Sequence, residues 1–539
     1  MRFYLSAANK AVVINPAAVP GADTLPEVRP FVYKGETLYG IPHTLENTYA
    51  LRQLGVKVPS PIATQYDWPP VRGRYQALPH QKEDADFLVR NERAFNLSEI
   101  GTMKTSIAIY ASDYLIGQGY VRKVLIISPL STLDSVWRDE IFTTVGGRRT
   151  VSVLHAAADK RKRMFLEDRD YYVVNPDGLK ILCDKTYDKK GRLTKAALLR
   201  DDIDLVIIDE LTAYRHSNND RWAVMRKVLE GLGPEVRIWG MTGTPIPQDP
   251  SNAYGQIKIV RPERVPQFYS MFRQLVMRQV TEYKWEERPE TNDIILGAMQ
   301  PAIRRERAEI QDLPECIYSE RRVEMTESQA RHFKAVFKEF VSRVETGQVI
   351  SAVNQGVQQS KLLQIACGVV YDKEGNPVEL DAVPRMEVVK EIIEEAGQPV
   401  IVFVPFTPPL LALHKHLVKA GRRVGLVYGQ TSKNERTQIF RAMQAGELDV
   451  IVADAGTMSH GITLTEASTV VWYGPEVSNE IYTQGNGRIT RPGQRNVQNI
   501  IHISSSPLES KLFTRNEERG NTQNVLLEMV RAHAKQMLW

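Results

Sequence analysis

Seven short apolar runs, each ending in small, polar or acidic residues, constrain this chain more than any other feature. They are VLIISP (124–129), DLVIIDE (204–210), VRIWGMTGTP (236–245), PVIVFVP (399–405), LDVIVADAG (448–456), STVVWYG (468–474) and VQNIIHIS (497–504). None sustains the apolar–polar alternation of a strand with one solvated face, so they fit strands buried on both faces of a parallel sheet. Helical patterns lie between them, as in LPHQKEDADFLVRNERAF (78–95) and RTQIFRAMQAGEL (436–448). Strand–helix alternation predicts α/β layers.

The runs fall into two groups and so predict two α/β domains, 76–262 and 381–505. Residues 263–380 are charged and helical in pattern, with SQARHFKAVFKEFVSRVETG as a good helix former and Met325-Thr326-Glu327 as its start. They are expected to form a helical insertion or linker, and 506–539 a helical tail. Residues 1–75 are expected as a small accessory domain. It holds one short helix candidate, HTLENTYALRQLG (43–55), with Thr44 as N-cap and Gly55 as C-cap.

Composition excludes several classes. At 42% hydrophobic and 25% charged the chain is of ordinary globular make-up, not collagen-like, disordered or a disulfide scaffold. Its 69 basic and 64 acidic residues leave +5, so any basic face must be local. Cys183, Cys316 and Cys367 are odd in number and outside any CxxC, which argues for buried thiols. His414 and His416 are two apart and would not share a helix face. No apolar run approaches the roughly 18 to 20 residues that span a bilayer, and the first residues lack a signal-peptide layout. A cytoplasmic protein with no membrane partner is expected.

In open parallel sheets ligands sit at the carboxyl ends of strands, where five segments carry candidate chemistry. In FNLSEIGTMKTSIAIYASDYL (95–115), a glycine turn precedes Lys-Thr and a helix, the layout of a phosphate loop. Lys104 would reach the β- and γ-phosphates and Thr105 would hold Mg²⁺. Ser98 and Met103 stand where the strict GxxxxGK[ST] pattern has glycines, so the segment alone also reads as a charged helix start. In DIDLVIIDELTAY (202–214), Asp209 and Glu210 end a buried strand. Asp209 would hold Mg²⁺ and Glu210 polarise the attacking water, although solvated acids at a strand end would look the same.

WGMTGTPIPQDP (239–250) offers Thr242 and Thr244 as hydroxyls linking phosphate state to domain movement, or an ordinary turn. ADAGTMSHGITLTEASTVVWYG (453–474) is the fourth segment. In the fifth, YTQGNGRITRPGQ (482–494), Arg488 and Arg491 are three apart and can project from one face of a helical turn. Two arginines give a phosphate chain both charge and bidentate hydrogen bonds.

These segments, in this order, resemble the superfamily-two helicases, and within them the Swi/Snf-type ATPases, a group with many compact phage relatives. LPHQ (78–81) is similar to the entry motif, in which Gln81 would read adenine. SEIGTMKT is similar to the Walker A segment at Glu99, Gly101, Lys104 and Thr105, with Thr102 and Met103 in the same nucleotide-binding loop. SPLSTLDSVWRDEI (128–141) resembles motif Ia, IIDE motif II and TGTP (242–245) motif III. SHGITLTEA (459–467), with Gly461, resembles motif V, and QGNGRITRPGQ (484–494) resembles motif VI at Gln484, Arg488, Arg491, Gly493 and Gln494. The resemblance spans about residues 76 to 505. Two positions depart from the pattern: Thr212 replaces the usual histidine of motif II, and Met103 replaces a glycine, which demands an accessible φ there.

The resemblance implies two RecA-like parallel-sheet domains with a helical insertion and a small N-terminal domain. It implies a DNA-dependent ATPase using ATP and Mg²⁺ and catalytic Lys104, Glu210, Gln484, Arg488 and Arg491. Ser131, Thr132 and Thr463 would contact DNA phosphates, and RRERAEI (304–310) and SERR (319–322) add candidate contacts. The expected activity is translocation, mostly on duplex DNA. A strand-separating or annealing helicase, or a non-hydrolysing ATP-binding DNA clamp, are the alternatives. RPFVYKGETLYG (29–40) is expected as a β-hairpin packing on the first motor domain or docking DNA.

Overall fold

In the computed structural model of the chain, the first group of apolar runs forms the centre of a seven-stranded parallel sheet. The structure describes residues 3–71, 76–243, 245, 249–281, 285–306, 309–310, 315–345, 352–372, 374–458, 464, 466–489, 494 and 496–518. The chain divides into two compact units, Met1–Ile310 and Gln311–Trp539.

In the first unit the strand order is Ala302–Ile303, Arg93–Asn96, Arg237–Met241, Ile203–Ile208, Lys123–Ile127, Tyr171–Val174, Val151–Val153. Every pairing in this sheet is parallel. Successive residues point to opposite faces: Leu125, Ile127, Val206 and Ile208 enter one core, and Val124, Ile126, Leu205 and Ile207 the other. This is why the runs show no polar alternation. The second core also takes the helices Pro79–Arg90 and Lys104–Gly117, the first core the helices Asp220–Leu232 and Ala253–Val260. Burying Ile107, Ile109, Tyr110 and Leu115 of the Lys104–Gly117 helix is worth about 1.5–3 kcal/mol per large side chain and fixes that helix under the sheet.

The N-terminal region builds a four-stranded antiparallel sheet, ordered Phe3–Ser6, Ala11–Ile14, Glu36–Pro42, Arg29–Tyr33, with its own small core around Val12, Ile14, Ile41 and Leu51. The helix Leu45–Gln53 starts at Thr44, whose hydroxyl accepts the Asn47 N–H at 3.1 Å, and Gly55 lies just beyond it at φ +79°. The hairpin over 29–40 forms, but Arg29–Tyr33 is an edge strand exposed at all five residues. Attachment to the α/β layer runs through residues 45–71, where Leu45, Ile62 and Val71 enter its core and two tyrosines bond to it. The Tyr49 hydroxyl donates to the Arg90 carbonyl at 2.9 Å, and that of Tyr66 to Asp113 at 2.6 Å.

Residues 263–380, expected as one helical insertion, are divided between the units. Ala302–Ile303 joins the edge of the first sheet beside Arg93–Asn96. Cys316–Arg322 runs parallel to Gln498–Ser504 at the edge of the second, and the helices Glu327–Glu345 and Ala352–Cys367 come after it. An edge strand needs little apolar sequence, which is why neither strand stood out.

The second unit's sheet is also parallel, ordered Cys316–Arg322, Gln498–Ser504, Thr469–Trp472, Val400–Phe403, Val450–Ala453, Val424–Val427. Val400 and Val402 feed one core, Ile401 and Phe403 the other. The helix Pro507–Glu517 belongs to this unit and carries Glu509, whose carboxylate accepts from the buried Arg385 guanidinium at 2.7 Å. The rest of the expected tail, 519–539, lies outside the described residues. Among the described residues no helix is long and apolar enough to cross a membrane.

Candidate nucleotide and nucleic-acid site

The candidate residues of the first unit gather at the carboxyl ends of neighbouring strands. Arg93–Asn96 leads into the loop 97–103 and then the Lys104–Gly117 helix. The Asn96 side chain accepts the Ser98 N–H at 3.1 Å, and the Thr102 hydroxyl donates to the Glu99 carbonyl at 2.8 Å. Gly101 sits at φ +90°. Met103, the residue before the helix, takes φ 63°, ψ 32°, the left-handed conformation that glycine enters without cost. The methionine therefore adopts the backbone that the missing glycine would provide. Lys104 Nζ donates to the Ser98 and Glu99 carbonyls at 2.7 and 2.8 Å, an intraloop arrangement that phosphate oxygens can replace. Thr105 is the second helical residue, half-buried.

Gln81 is buried in the Pro79–Arg90 helix. Its Oε1 accepts the Leu78 N–H at 2.9 Å, and its Nε2 donates to the Ser106 hydroxyl at 2.8 Å. The amide thus joins the entry motif to the helix that begins at Lys104, and one N–H and one lone pair take no part in these two bonds.

Arg305 supports the loop from the sheet edge. Its carbonyl accepts the Glu99 N–H at 3.0 Å, its own N–H donates to the Ser98 hydroxyl at 3.1 Å, and its guanidinium reaches Asp84 at 2.9 Å and Glu83 at 2.6 Å. Burial pushes the Asp84 carboxyl up to about 6, against the opposing pull of Arg305. Arg305 lies in RRERAEI, a candidate for phosphate contact or a solvated helical face; its guanidinium pairs with these two carboxylates.

Asp209 and Glu210 come directly after the strand Ile203–Ile208. Asp209 Oδ2 accepts from the Ser128 hydroxyl and from Trp137 Nε1–H, each at 2.9 Å. Glu210 stands at φ 55°, ψ 64°, a second left-handed non-glycine residue, and starts the single turn Leu211–Tyr214. Thr212, half-buried, lies in that turn. Thr132 is buried, its hydroxyl donating to the Pro129 carbonyl at 2.7 Å and lying 2.6 Å from Ser128 Oγ. It therefore faces the Asp209 network and not the surface. The Ser131 side chain lies outside the described residues. Thr242 is buried and its N–H donates to the Asn96 carbonyl at 3.1 Å. A Cβ on Gly243 would lie 3.1 Å from Ile100 Cγ1, so motif III abuts the phosphate loop. Thr244 lies outside the described residues.

In the second unit Gln484 is buried in the helix Asn479–Asn486, with Nε2 3.5 Å from Glu480 Oε1. Arg488 is buried just beyond it, and its carbonyl accepts the Leu464 N–H at 3.2 Å, tying motif VI to motif V. Gly485 has no room for a side chain: a Cβ would meet the Trp472 ring at 2.9 Å. Gly461, Thr463 and Arg491 lie outside the described residues. Sequence reasoning missed Ser128 and Arg305 as site-supporting residues. It placed Trp137 in motif Ia without its link to Asp209.

Among the described residues no cluster of three or more His, Cys, Asp or Glu side chains is placed to hold a metal. A divalent cation bound with nucleotide keeps several waters and takes the rest of its shell from phosphate oxygens, so it needs only one or two protein ligands.

The SNF2-related domain family matches residues 79–367 and the helicase conserved C-terminal domain matches 384–493. The chain belongs to the SNF2-related family. With its C-terminal helicase domain it is a superfamily-two, Swi/Snf-type DNA-dependent ATPase, an ATP-driven motor, and its two parallel-sheet units are the RecA-like pair of that class. Protein p41 of Acyrthosiphon pisum secondary endosymbiont phage 1 is 24% identical over 479 residues, 84% of this chain and 98% of p41. Among solved structures, the Sulfolobus solfataricus SWI2/SNF2 ATPase core in complex with dsDNA is 20% identical, with a TM-score of 0.38, over 86% of this chain and 98% of that one. The Pyrococcus furiosus Hef helicase domain is 16% identical, with a TM-score of 0.46, over 81% and 98%.

Proposed function

We propose that this chain hydrolyses ATP to move along duplex DNA, in the cytoplasm of a bacterial or phage-infected cell. The observation that carries the reading is the meeting of the Lys104 loop, the Asp209–Glu210 pair and Thr242 at the carboxyl ends of adjacent strands of one sheet.

In this reading the phosphates lie on the N-terminus of the Lys104–Gly117 helix. Lys104 leaves the Ser98 and Glu99 carbonyls for the β- and γ-phosphates, while Glu99, Gly101, Thr102 and Met103 shape the loop around them. Mg²⁺, held by Thr105 and Asp209, would supply charge neutralisation of the phosphoryl oxygens. Glu210 orients and polarises the attacking water, and Gln81 reads adenine with its remaining N–H and lone pair. Arg488 and Arg491, together with Gln484, stabilise the charge that develops on the transferred phosphoryl group. Thr242, Thr244 and Gly461 relay phosphate state. Ser131, Thr132 and Thr463 hold DNA phosphates, which for Thr132 requires its hydroxyl to turn out of the Asp209 network.

Met103 bears on the alternative of a non-hydrolysing clamp. Its left-handed backbone supports an active loop, because the conformation required of the missing glycine is reached without it.

Phosphate release with duplex, single-stranded and forked DNA, with RNA, and without nucleic acid tests the reading. Displacement of a triplex-forming strand from duplex DNA reports movement. Duplex-stimulated turnover, lost in Lys104→Ala, is expected. ATP binding with no phosphate release under any condition would leave only the clamp.

A further inference from the structure

The net charge of +5 requires any basic face to be local, and one lies on the hairpin Cys183–Tyr187/Leu193–Leu198, which precedes the strand Ile203–Ile208 that leads into Asp209. Residues 183–195 carry Lys185, Lys189, Lys190, Arg192 and Lys195 against Asp184 and Asp188, which is 5 − 2 = +3. Lys189, Lys190, Arg192 and Lys195 are exposed and Lys185 is half-exposed. Among the described residues none of the five is paired with a carboxylate, unlike Lys180 and Arg200 on either side of the hairpin.

The hairpin is built to hold its shape. At the tip, the Asp188 carboxylate accepts the N–H groups of Lys190 and Arg192, each at 2.8 Å, the Asp188 N–H donates to the Arg192 carbonyl at 2.9 Å, and Gly191 takes φ +72°. The one acid at the tip is therefore spent on the turn. At the root, Cys183 and Ala196 are buried in the core shared with the helix Asp220–Leu232, and a Cβ on Gly231 of that helix would lie 3.4 Å from the Ala196 carbonyl oxygen. Lys185 pairs with Ala196 and Lys195 with Thr186. Adjacent pairs project to opposite faces, so Lys185 edges the face that packs through Ala196 on the helix, while Lys195 lies on the opposite, open face. Such a distribution suits the phosphates of a backbone, with one exposed aromatic ring, Tyr187, beside the tip.

From this we infer that the 183–198 hairpin is a second, sequence-independent DNA contact that grips the phosphate backbone of duplex DNA. The inference rests on the DNA-dependent activity. DNA is the polyanion this motor must meet, and a preformed cationic tip binds it at little entropic cost.

The test is the triple variant K189A/K190A/R192A, which keeps Asp188 and Gly191 and so keeps the turn; thermal unfolding checks the fold. Binding to a fluorescent duplex of random sequence is measured by anisotropy over a range of salt concentrations. Each phosphate that the hairpin no longer neutralises should reduce the slope of log K against log salt by about 0.9, a total of about 2 to 3 for this variant. The DNA concentration for half-maximal ATPase stimulation should rise by about tenfold or more at physiological salt. Turnover without DNA and at saturating DNA should match the native protein. An unchanged slope and unchanged half-saturation would mean that the hairpin meets an acidic protein or only solvent, and would overturn the inference. If DNA fails to stimulate the native protein, the functional reading fails separately, while anisotropy still judges the hairpin.

Discussion

Trp137 and Asp209 meet across 2.9 Å, the indole Nε1–H donating to carboxylate Oδ2. The same N–H lies 3.0 Å from Ser128 Oγ, which itself donates to Oδ2 at 2.9 Å. One carboxylate oxygen is thereby fixed by motif Ia, and with it the orientation of the other. The donor comes from a buried tryptophan in a six-residue π-helical stretch, Leu133–Arg138, a wide turn often found at functional sites.

Trp137→Phe removes that donor and keeps most of the buried ring. Loss of an outer-sphere partner of a metal ligand costs about 10- to 100-fold in metal affinity or activity. With a ligand shell shared with phosphate and water, the lower end is expected: the Mg²⁺ concentration for half-maximal turnover should rise about tenfold. A titration of ATPase rate against Mg²⁺ checks this. An unmoved midpoint would show that the indole orients nothing the reaction uses.

Met103→Gly addresses the other departure from a glycine. The left-handed backbone costs a non-glycine residue about 1–2 kcal/mol, and losing a buried methionine side chain costs about 1.5–3 kcal/mol. The two oppose each other, so stability should fall by no more than about 2 kcal/mol. Turnover at saturating ATP should be at or above native, because the loop's conformation is retained. A tenfold loss in phosphate release would mean that the thioether packs against something the phosphate site needs.

How much of this was legible depends on where each residue's partners lie in the chain. Leu125 to Ile127 and Leu205 to Ile208 announced themselves because each run feeds two cores and so cannot alternate. Lys104, Asp209 and Arg488 were candidates from the ordered set of motifs, since local spacing left each of them open. Cys316–Arg322, exposed or half-exposed throughout, was not, because its place is set by pairing with Gln498–Ser504, far along the chain. Arg305 is similar: only the register of a two-residue edge strand places it over Ser98 and against Asp84. Trp137 and Ser128 are close to each other in sequence, but their common acceptor is on another strand. The hairpin over 183–198 carried no apolar run and lay hidden between two that did.

Arg305→Ala leaves Asp84 buried without its cation. Asp84 binds its proton more tightly folded than unfolded, with a folded value of about 6. Its stability contribution is therefore complete below the ordinary carboxylate range and is lost as pH rises through about 6. Removing Arg305 takes away the pull that opposes burial, raises that value further and extends the loss to higher pH. The variant should be destabilised by about 3 kcal/mol at pH 8 and by distinctly less at pH 5. Denaturant unfolding of both proteins at the two pH values decides it. Equal deficits would mean that Asp84 does not titrate with Arg305.

Arg488→Ala and Arg491→Ala should leave ATP binding largely intact and slow hydrolysis. An arginine finger contributes about 10³ to 10⁵ in rate, so even a partial role should cost well over tenfold. Lysine should rescue poorly at either position, since it keeps the charge and loses the planar fork. Nucleotide affinity and DNA-stimulated turnover, measured on the same preparations, separate the two effects. Native turnover in both alanine variants would remove these arginines from the chemistry.

Gln81 tests whether one amide can serve the fold and the nucleotide together. Its Oε1 and Nε2 already hold Leu78 and Ser106, so Gln81→Ala should cost about 1–3 kcal/mol for the buried groups left unmatched. A purely structural amide would weaken ATP and GTP binding alike, through misplacement of the Lys104–Gly117 helix. An amide that also reads adenine would confer a preference for ATP, because its free N–H and lone pair match the adenine edge and mismatch that of guanine. We expect the second result: KM for ATP should rise about tenfold or more, KM for GTP should change much less, and the preference for ATP should collapse. Ser106→Ala provides the control. It breaks the bridge and leaves the amide, so it should lower stability and retain the preference for ATP. If Gln81→Ala shifts both nucleotides equally, or Ser106→Ala abolishes the preference as fully, the adenine contact assigned to Gln81 is wrong and its whole role is to hold the entry motif against the phosphate-loop helix.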